Sequence, residues 1–91
     1  MTIERIGVTS EYGPLMSRCV IHNDTVLLSG IVAGDLSQST EMQTRDVLRT
    51  IDGLLAEART NRENILTVHI WLANMEHFQD MNAAWNDWVD A

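Results

Sequence analysis

The stretch NILTVHIWLANMEHFQDMNAAWNDWV, residues 64–89, contains two different periodicities in succession. From Ile65 to Ala73 the residues alternate in character, which predicts a β-strand because successive side chains of a strand point to opposite faces. One face would carry Leu66, Val68, Ile70 and Leu72, and the other Thr67, His69, Trp71 and Ala73. After Asn74, a favourable N-cap, the apolar spacing becomes that of an amphipathic helix. Its apolar positions are Phe78, Met81, Trp85, Trp88 and Val89.

Asn82 is the unusual residue of this predicted helix. It follows Met81 and precedes Trp85 by three positions, so it lies within the apolar stripe that should face the sheet. Its amide either bonds nearby backbone and fixes how the helix docks, or lines a pocket. The residues alone favour the structural role, because most buried polar groups are satisfied structurally.

Length and composition predict one folded domain, residues 1–91. Apolar residues make up 45% of the chain and charged residues 21%, as in ordinary globular domains. The formal net charge is −7, and the six basic residues, all arginine, are scattered. Nucleic-acid binding depends on clustered Lys and Arg, so nucleic acid is not expected as a partner.

The single cysteine, Cys19, excludes an internal disulfide. We expect no leader peptide, since no basic segment followed by an apolar one opens the chain, and the expected location is therefore the cytoplasm. No apolar run reaches the roughly 20 residues that a membrane-spanning helix needs, so no membrane partner is expected.

The sequence pattern of residues 2–29 predicts strands. Residues 2–8 favour a short strand and residues 11–14 a turn, since the latter contain the only proline. Residues 18–22 and 25–29 predict a hairpin closed by Asn23 and Asp24, which both tolerate positive φ. The second arm ends in Ser29-Gly30, where glycine provides unusual dihedral angles or a close approach of backbone to another group. The residues alone favour a structural role for this glycine, as a flexible residue at the end of a strand, over a ligand-binding role.

A helix is predicted from Thr40 to about Arg59, with Thr40 and Gln43 forming a capping box. The order strand, hairpin, helix, strand, helix is an α/β pattern. Right-handed crossover connections would place both helices on one face of the sheet. The other face would carry Thr67, His69 and Trp71, and we expect it to be an oligomer interface.

The three histidines and the cysteine are assigned no metal-binding or catalytic role. His22, His69 and His77 lack the paired spacing of a metal site, so no metal is expected. Cys19 is most often a small packing residue on a hairpin arm.

Several segments together resemble the RidA/YjgF (Rid) family. They are Cys19-Val20-Ile21-His22-Asn23 leading to Leu27-Leu28-Ser29-Gly30, the helix from Gln43 to Ala58, the segment Ile65–Ala73 and, most specifically, Met81-Asn82-Ala83-Ala84-Trp85. The resemblance implies a chorismate-mutase-like (YjgF-like) α/β (α+β) fold, with a mixed sheet and two helices on one face. It also implies a homotrimer with its pockets between subunits.

The function implied by the resemblance is hydrolysis of enamines and imines, such as 2-iminopropanoate and 2-iminobutanoate, to 2-oxo acids and ammonia without a cofactor. In the family, an arginine pairs with the substrate carboxylate and a glutamate positions the attacking water. Both belong to two strands that the resemblance places beyond Ala91, so the domain is expected to be incomplete at its C-terminus, and no catalytic residue is assigned.

The resemblance implies substrate-binding roles for Ser29, Gly30 and Asn82. The family's loop tyrosine aligns with Met16, while Tyr12, the only tyrosine, lies four residues earlier; both are further candidates. The alternative function is a non-catalytic, trimeric module of the same fold that binds small ligands or regulates. A third, RNA cleavage or inhibition of translation, fits poorly with the acidic charge.

Overall fold

The structure, a computed structural model, describes residues 2–89. It contains three strands and two α-helices: β1 (Ile3–Thr9), β2 (Met16–His22), β3 (Thr25–Leu28), α1 (Thr40–Glu57) and α2 (Phe78–Trp88). Two short 3₁₀ turns, Arg62–Asn64 and Met75–His77, flank the extended segment between the helices.

The three strands form an antiparallel sheet in the order β1-β2-β3. His22 pairs with Thr25 across the predicted two-residue turn, which confirms the hairpin, and Asn23 adopts the positive φ of +55° that asparagine tolerates. The Gly13 N–H donates to the Ser10 carbonyl at 3.0 Å, in agreement with the predicted turn between β1 and β2.

The core lies between the sheet and α1. Cys19 is fully buried and clusters with Leu54 and Ala58 of the α1 end, and apolar residues from all three strands pack against them. Burial is the largest cause of a raised pKa for the Cys19 thiol, followed by the nearby carboxylates of Glu57 and Glu4. These observations confirm Cys19 as a packing residue.

The start of α1 differs by one residue from the predicted capping box. Ser39, and not Thr40, is the N-cap, and its hydroxyl accepts a hydrogen bond from the Met42 N–H at 3.2 Å. The Gln43 amide donates to the carbonyls of Leu36 and Gln38 in the preceding loop and does not reach back to the cap. The serine in extended geometry just before the helix provides the better acceptor.

The end of α1 is closed by a Schellman motif. Arg59 adopts a φ of +66°, its N–H donates to the Ala56 carbonyl, and the Thr60 N–H donates to the Leu55 carbonyl at 2.9 Å. The Arg59 guanidinium then pairs with both carboxylate oxygens of Glu4, at 2.8 and 3.2 Å. The end of the helix is thereby joined to β1.

The prediction of a strand from Ile65 to Ala73 is wrong for the described residues. The segment is not helical, but no strand within residues 2–89 pairs with it. Alternation predicts which side chains share a face but cannot supply a hydrogen-bonding neighbour. The predicted mixed sheet is likewise replaced, over residues 2–89, by a purely antiparallel one.

α2 packs along α1, and the 3₁₀ turn Met75–His77 directly precedes it. The Asn74 side chain accepts from the Glu76 N–H at 2.9 Å and so caps the 3₁₀ turn that leads into the helix. At the other end, the Trp88 indole N–H donates to Asp52 of α1 at 2.9 Å, and the Arg62 guanidinium donates to the Trp88 carbonyl at 2.6 Å. Neither helix within residues 2–89 is long and apolar enough to cross a membrane.

Candidate functional site

A cavity of about 260 Å³ lies between the extended segment and α2. Its lining residues are Val68, Ile70, Met81, Asn82 and Trp85. Val68 and Ile70 belong to the face of the segment that the alternation assigned to the inside. The cavity exists because α2 turns its apolar stripe towards this face and no strand covers it within residues 2–89.

Asn82 is the polar group of this otherwise apolar cavity. Its side chain is half-buried, and its amide makes no hydrogen bond to any group in residues 2–89. This geometry does not fit the structural interpretation, in which the amide would bond nearby backbone. An amide both donates and accepts, so one Asn82 side chain can orient a ligand that has both kinds of group.

A second cavity of about 250 Å³ shares Val68 and Trp85 with the first. Its other lining residues are Arg62, Glu63, Ile65, Leu66, Thr67 and Val89. Trp85 stacks at a tilt on Trp88, with ring centroids 5.7 Å apart. Trp85 therefore both packs against Trp88 and lines both cavities.

Ser29 and Gly30 lie just beyond β3 and are not among the residues that line either cavity. The Ser29 N–H donates to the Arg18 carbonyl at 3.0 Å, which extends the ladder by one residue, and the Ser29 hydroxyl lies 3.4 Å from the Gly30 carbonyl. A Cβ at Gly30 would meet nothing within 4 Å, and its φ is not positive. Neither reason for glycine that the sequence suggested is found within residues 2–89.

The two remaining candidates lie near the start of β2. Met16 is half-buried and pairs with Thr9 of β1. Tyr12 lies in the turn between β1 and β2, with half of its surface exposed, and the Arg18 guanidinium carbon lies 5.8 Å from its ring centroid. The structure therefore associates Tyr12 with Arg18, a residue that the sequence did not single out.

The Asn82 cavity contains no titratable side chain. The groups with displaced pKa values lie elsewhere: a hydrogen bond from Arg59 holds the pKa of Glu4 below its ordinary value, and bonds from Ser37 and Gln38 lower that of Asp35. Within residues 2–89, no three His, Cys, Asp or Glu side chains lie close enough together to hold a metal ion.

The chain is similar to curated bacterial proteins. It is 40% identical over 91 residues to a RutC family protein of Haemophilus influenzae, an alignment that covers 99% of this chain and 75% of that protein. It is 37% identical to the RutC family protein YoaB of Escherichia coli, over 100% of this chain and 75% of that protein.

Solved structures of similar fold point to the same family. A YjgF family member from Neisseria meningitidis superimposes with a TM-score of 0.90 at 34% sequence identity, over 100% of this chain and 72% of that one. A Pseudomonas aeruginosa protein gives a TM-score of 0.89 at 34% identity, over 98% and 74% of the two chains. The family model described as Endoribonuclease L-PSP matches residues 3–91. The chain therefore has the YjgF fold and belongs to the RidA/YjgF family.

Proposed function

We propose that this protein is an enamine/imine deaminase of the Rid type, which hydrolyses small 2-imino and enamine acids to 2-oxo acids and ammonia. Water adds across the C=N bond, the nitrogen takes up a proton, the C–N bond breaks, and the former water oxygen becomes the carbonyl oxygen. Such a reaction needs groups that hold the substrate and orient the water. Family membership and the arrangement around Asn82 support the proposal.

The observation that carries the proposal is the unpartnered amide of Asn82 in an apolar cavity. Within residues 2–89 the Arg18 Nε is the one buried side-chain donor or acceptor without a partner, so the amide of Asn82 is open to solvent and to an incoming group. A small ligand with donor and acceptor atoms can replace water on this amide. In the proposal Ser29 and Gly30 contribute to the same pocket when subunits assemble into a homotrimer.

The exposed residues of the extended segment support assembly. Trp71 is 86% exposed and lies against His69, with ring centroids 5.9 Å apart, and Leu66 is 93% exposed. Large apolar side chains in this position are stabilised when another protein surface covers them. A pocket shared between subunits would depend on this assembly.

The test is ammonia release from freshly generated 2-iminobutanoate, compared between the wild-type protein, Asn82→Ala and Asn86→Ala. Asn86 is an exposed residue of the same helix and serves as the control. We expect Asn82→Ala to lower kcat/KM by about tenfold or more, as loss of a polar contact to substrate does, and Asn86→Ala to leave it within about twofold. Equal rates for all three proteins would restrict Asn82 to packing.

The second candidate is a non-catalytic module that binds the same small acids. The absence of a titratable side chain from the Asn82 cavity favours it, because nothing that lines this cavity can take up or give a proton at neutral pH. Ammonia release at the background rate, together with Asn82-dependent binding of 2-oxobutanoate, would support this candidate over the deaminase.

RNA cleavage, the activity named in the family description Endoribonuclease L-PSP, has less support. The net charge is −7, and four of the six arginines, Arg45, Arg49, Arg59 and Arg62, pair with carboxylates. Few positive groups are left for a phosphate backbone.

A further inference from the structure

The register of the sheet places three residues side by side on the face that α1 does not cover, here called the open face. Cys19 pairs with Ile6 and Leu28 and packs under α1, so its neighbour Arg18 points to the opposite side. The bond from the Ser29 N–H to the Arg18 carbonyl aligns Ser29 with Arg18. On the other flank lies Gly7, where a Cβ would approach the Arg18 Cβ to 3.0 Å.

The two arginines of the open face differ from the other four. Within residues 2–89, Arg5 and Arg18 form no ion pair, whereas Arg45, Arg49, Arg59 and Arg62 each pair with a carboxylate. Arg5 pairs with Val20 and therefore shares the face of Arg18, two residue pairs away along the ladder. A chain of net charge −7 thus presents its unpaired positive charges on one face of its sheet.

Arg18 is further distinguished by burial. Its Nε is buried and has no hydrogen-bond partner within residues 2–89, and the guanidinium lies over the Tyr12 ring. A desolvated donor of a charged group without an acceptor is costly, and an incoming acceptor would remove the cost. Tyr12 restricts the guanidinium from one side and favours a fixed orientation.

We propose that Arg18 binds the carboxylate of a small 2-oxo or 2-imino acid at the Ser29 end of the open face. A guanidinium offers a planar pair of N–H donors that matches a carboxylate. Ser29 lies next to Arg18 in the register of the ladder, so its hydroxyl is available as a further donor, and a Cβ at Gly30 would meet nothing within 4 Å, which leaves open space at this end of the sheet. The choice of acid rests on the proposed function.

The test is isothermal titration with 2-oxobutanoate, using 2-butanone as the uncharged probe of similar shape. The variants are Arg18→Met, which keeps an apolar stem over Gly7, Arg18→Lys, and the control Arg5→Ala on the same face. We expect Arg18→Met to weaken binding of 2-oxobutanoate at least about tenfold, Arg18→Lys to weaken it less, and Arg5→Ala to change it by less than about twofold. 2-Butanone should bind no variant detectably.

Four results would overturn the proposal: no binding of 2-oxobutanoate to the wild type, equal binding to Arg18→Met, equal binding of 2-butanone to the wild type, or a smaller molecular mass for Arg18→Met by light scattering. The last would show that Arg18 pairs with a carboxylate of another copy. The two proposals fail separately. Arg18-dependent binding without ammonia release would contradict only the deaminase, and ammonia release unaffected by Arg18→Met would contradict only the Arg18 site.

Discussion

Replacing Gly7 or Gly53 by alanine should change the free energy of unfolding in opposite directions. Gly7 has a φ of +66°, and a Cβ there would lie 3.0 Å from the Arg18 Cβ, whereas a Cβ on the helical Gly53 would meet nothing within 4 Å. We expect Gly7→Ala to lower the free energy of unfolding by about 1–3 kcal/mol. Gly53→Ala, the matched control, should raise it by about 0.5–1 kcal/mol, because alanine loses less backbone entropy in a helix.

Urea denaturation monitored by tryptophan fluorescence measures both changes. A Gly7→Ala protein as stable as the wild type would show that β1 can shift away from Arg18 at no cost. The sequence alone identified neither role, because it places both glycines in periodic segments without revealing φ or the neighbouring strand.

At the scale of elements, the N-cap of α1 can be tested by comparing Ser39, the observed capping residue, with Thr40, the predicted one. The Ser39 hydroxyl bonds the Met42 N–H, while the Thr40 hydroxyl bonds His77 Nδ1 at 3.0 Å on an exposed surface. We expect Ser39→Ala to cost about 1 kcal/mol, as loss of an N-cap does, and Thr40→Ala to cost no more than about 0.5 kcal/mol. The measurement is the urea midpoint of each variant. A larger loss for Thr40→Ala would restore the capping box that the sequence suggested.

The elements also show which secondary structure the periodicity of a sequence can predict. The hairpin and both helices followed from local signals: a two-residue turn at Asn23-Asp24 and apolar residues at helical spacing. The segment after Asn64 had an equally clear alternation, yet no ladder forms within residues 2–89. A helix satisfies its hydrogen bonds internally, whereas a strand depends on a neighbour from any part of the chain or from another chain.

The candidate site was predictable in part for the same reason. The residues alone showed Asn82 as an amide within an apolar stripe and favoured a structural role; its substrate-binding role was implied by the family resemblance and stays a prediction, although the side chain does line a cavity. Arg18 was not identified, since its relation to Ser29, Gly7 and Tyr12 arises from strand register and a turn. Counting charges in the sequence could not show which arginines form ion pairs: within residues 2–89 four do and two do not.

At the scale of the whole molecule, the ion pair between Glu4 and Arg59 joins the first strand to the end of α1. The hydrogen bond from Arg59 is the largest cause of the lowered pKa of Glu4. A carboxyl whose pKa is lower in the folded state stabilises the fold above its unfolded pKa, and this contribution is lost as pH falls through the folded value. The protein should therefore lose stability as the pH drops below the ordinary range of a glutamate pKa.

Glu4→Gln tests this linkage, with Glu76→Gln as a control that removes one negative charge from a residue without an ion pair in the described part of the chain. We expect Glu4→Gln to be less stable than the wild type at pH 7 and the difference to shrink as the pH falls through the lowered pKa of Glu4, because the wild-type carboxyl then becomes protonated. Urea midpoints across this pH range provide the measurement. Because Glu4 is exposed, high salt should weaken the difference as well, whereas a difference independent of both pH and salt would mean that packing of the side-chain stem, and not its charge, joins β1 to α1.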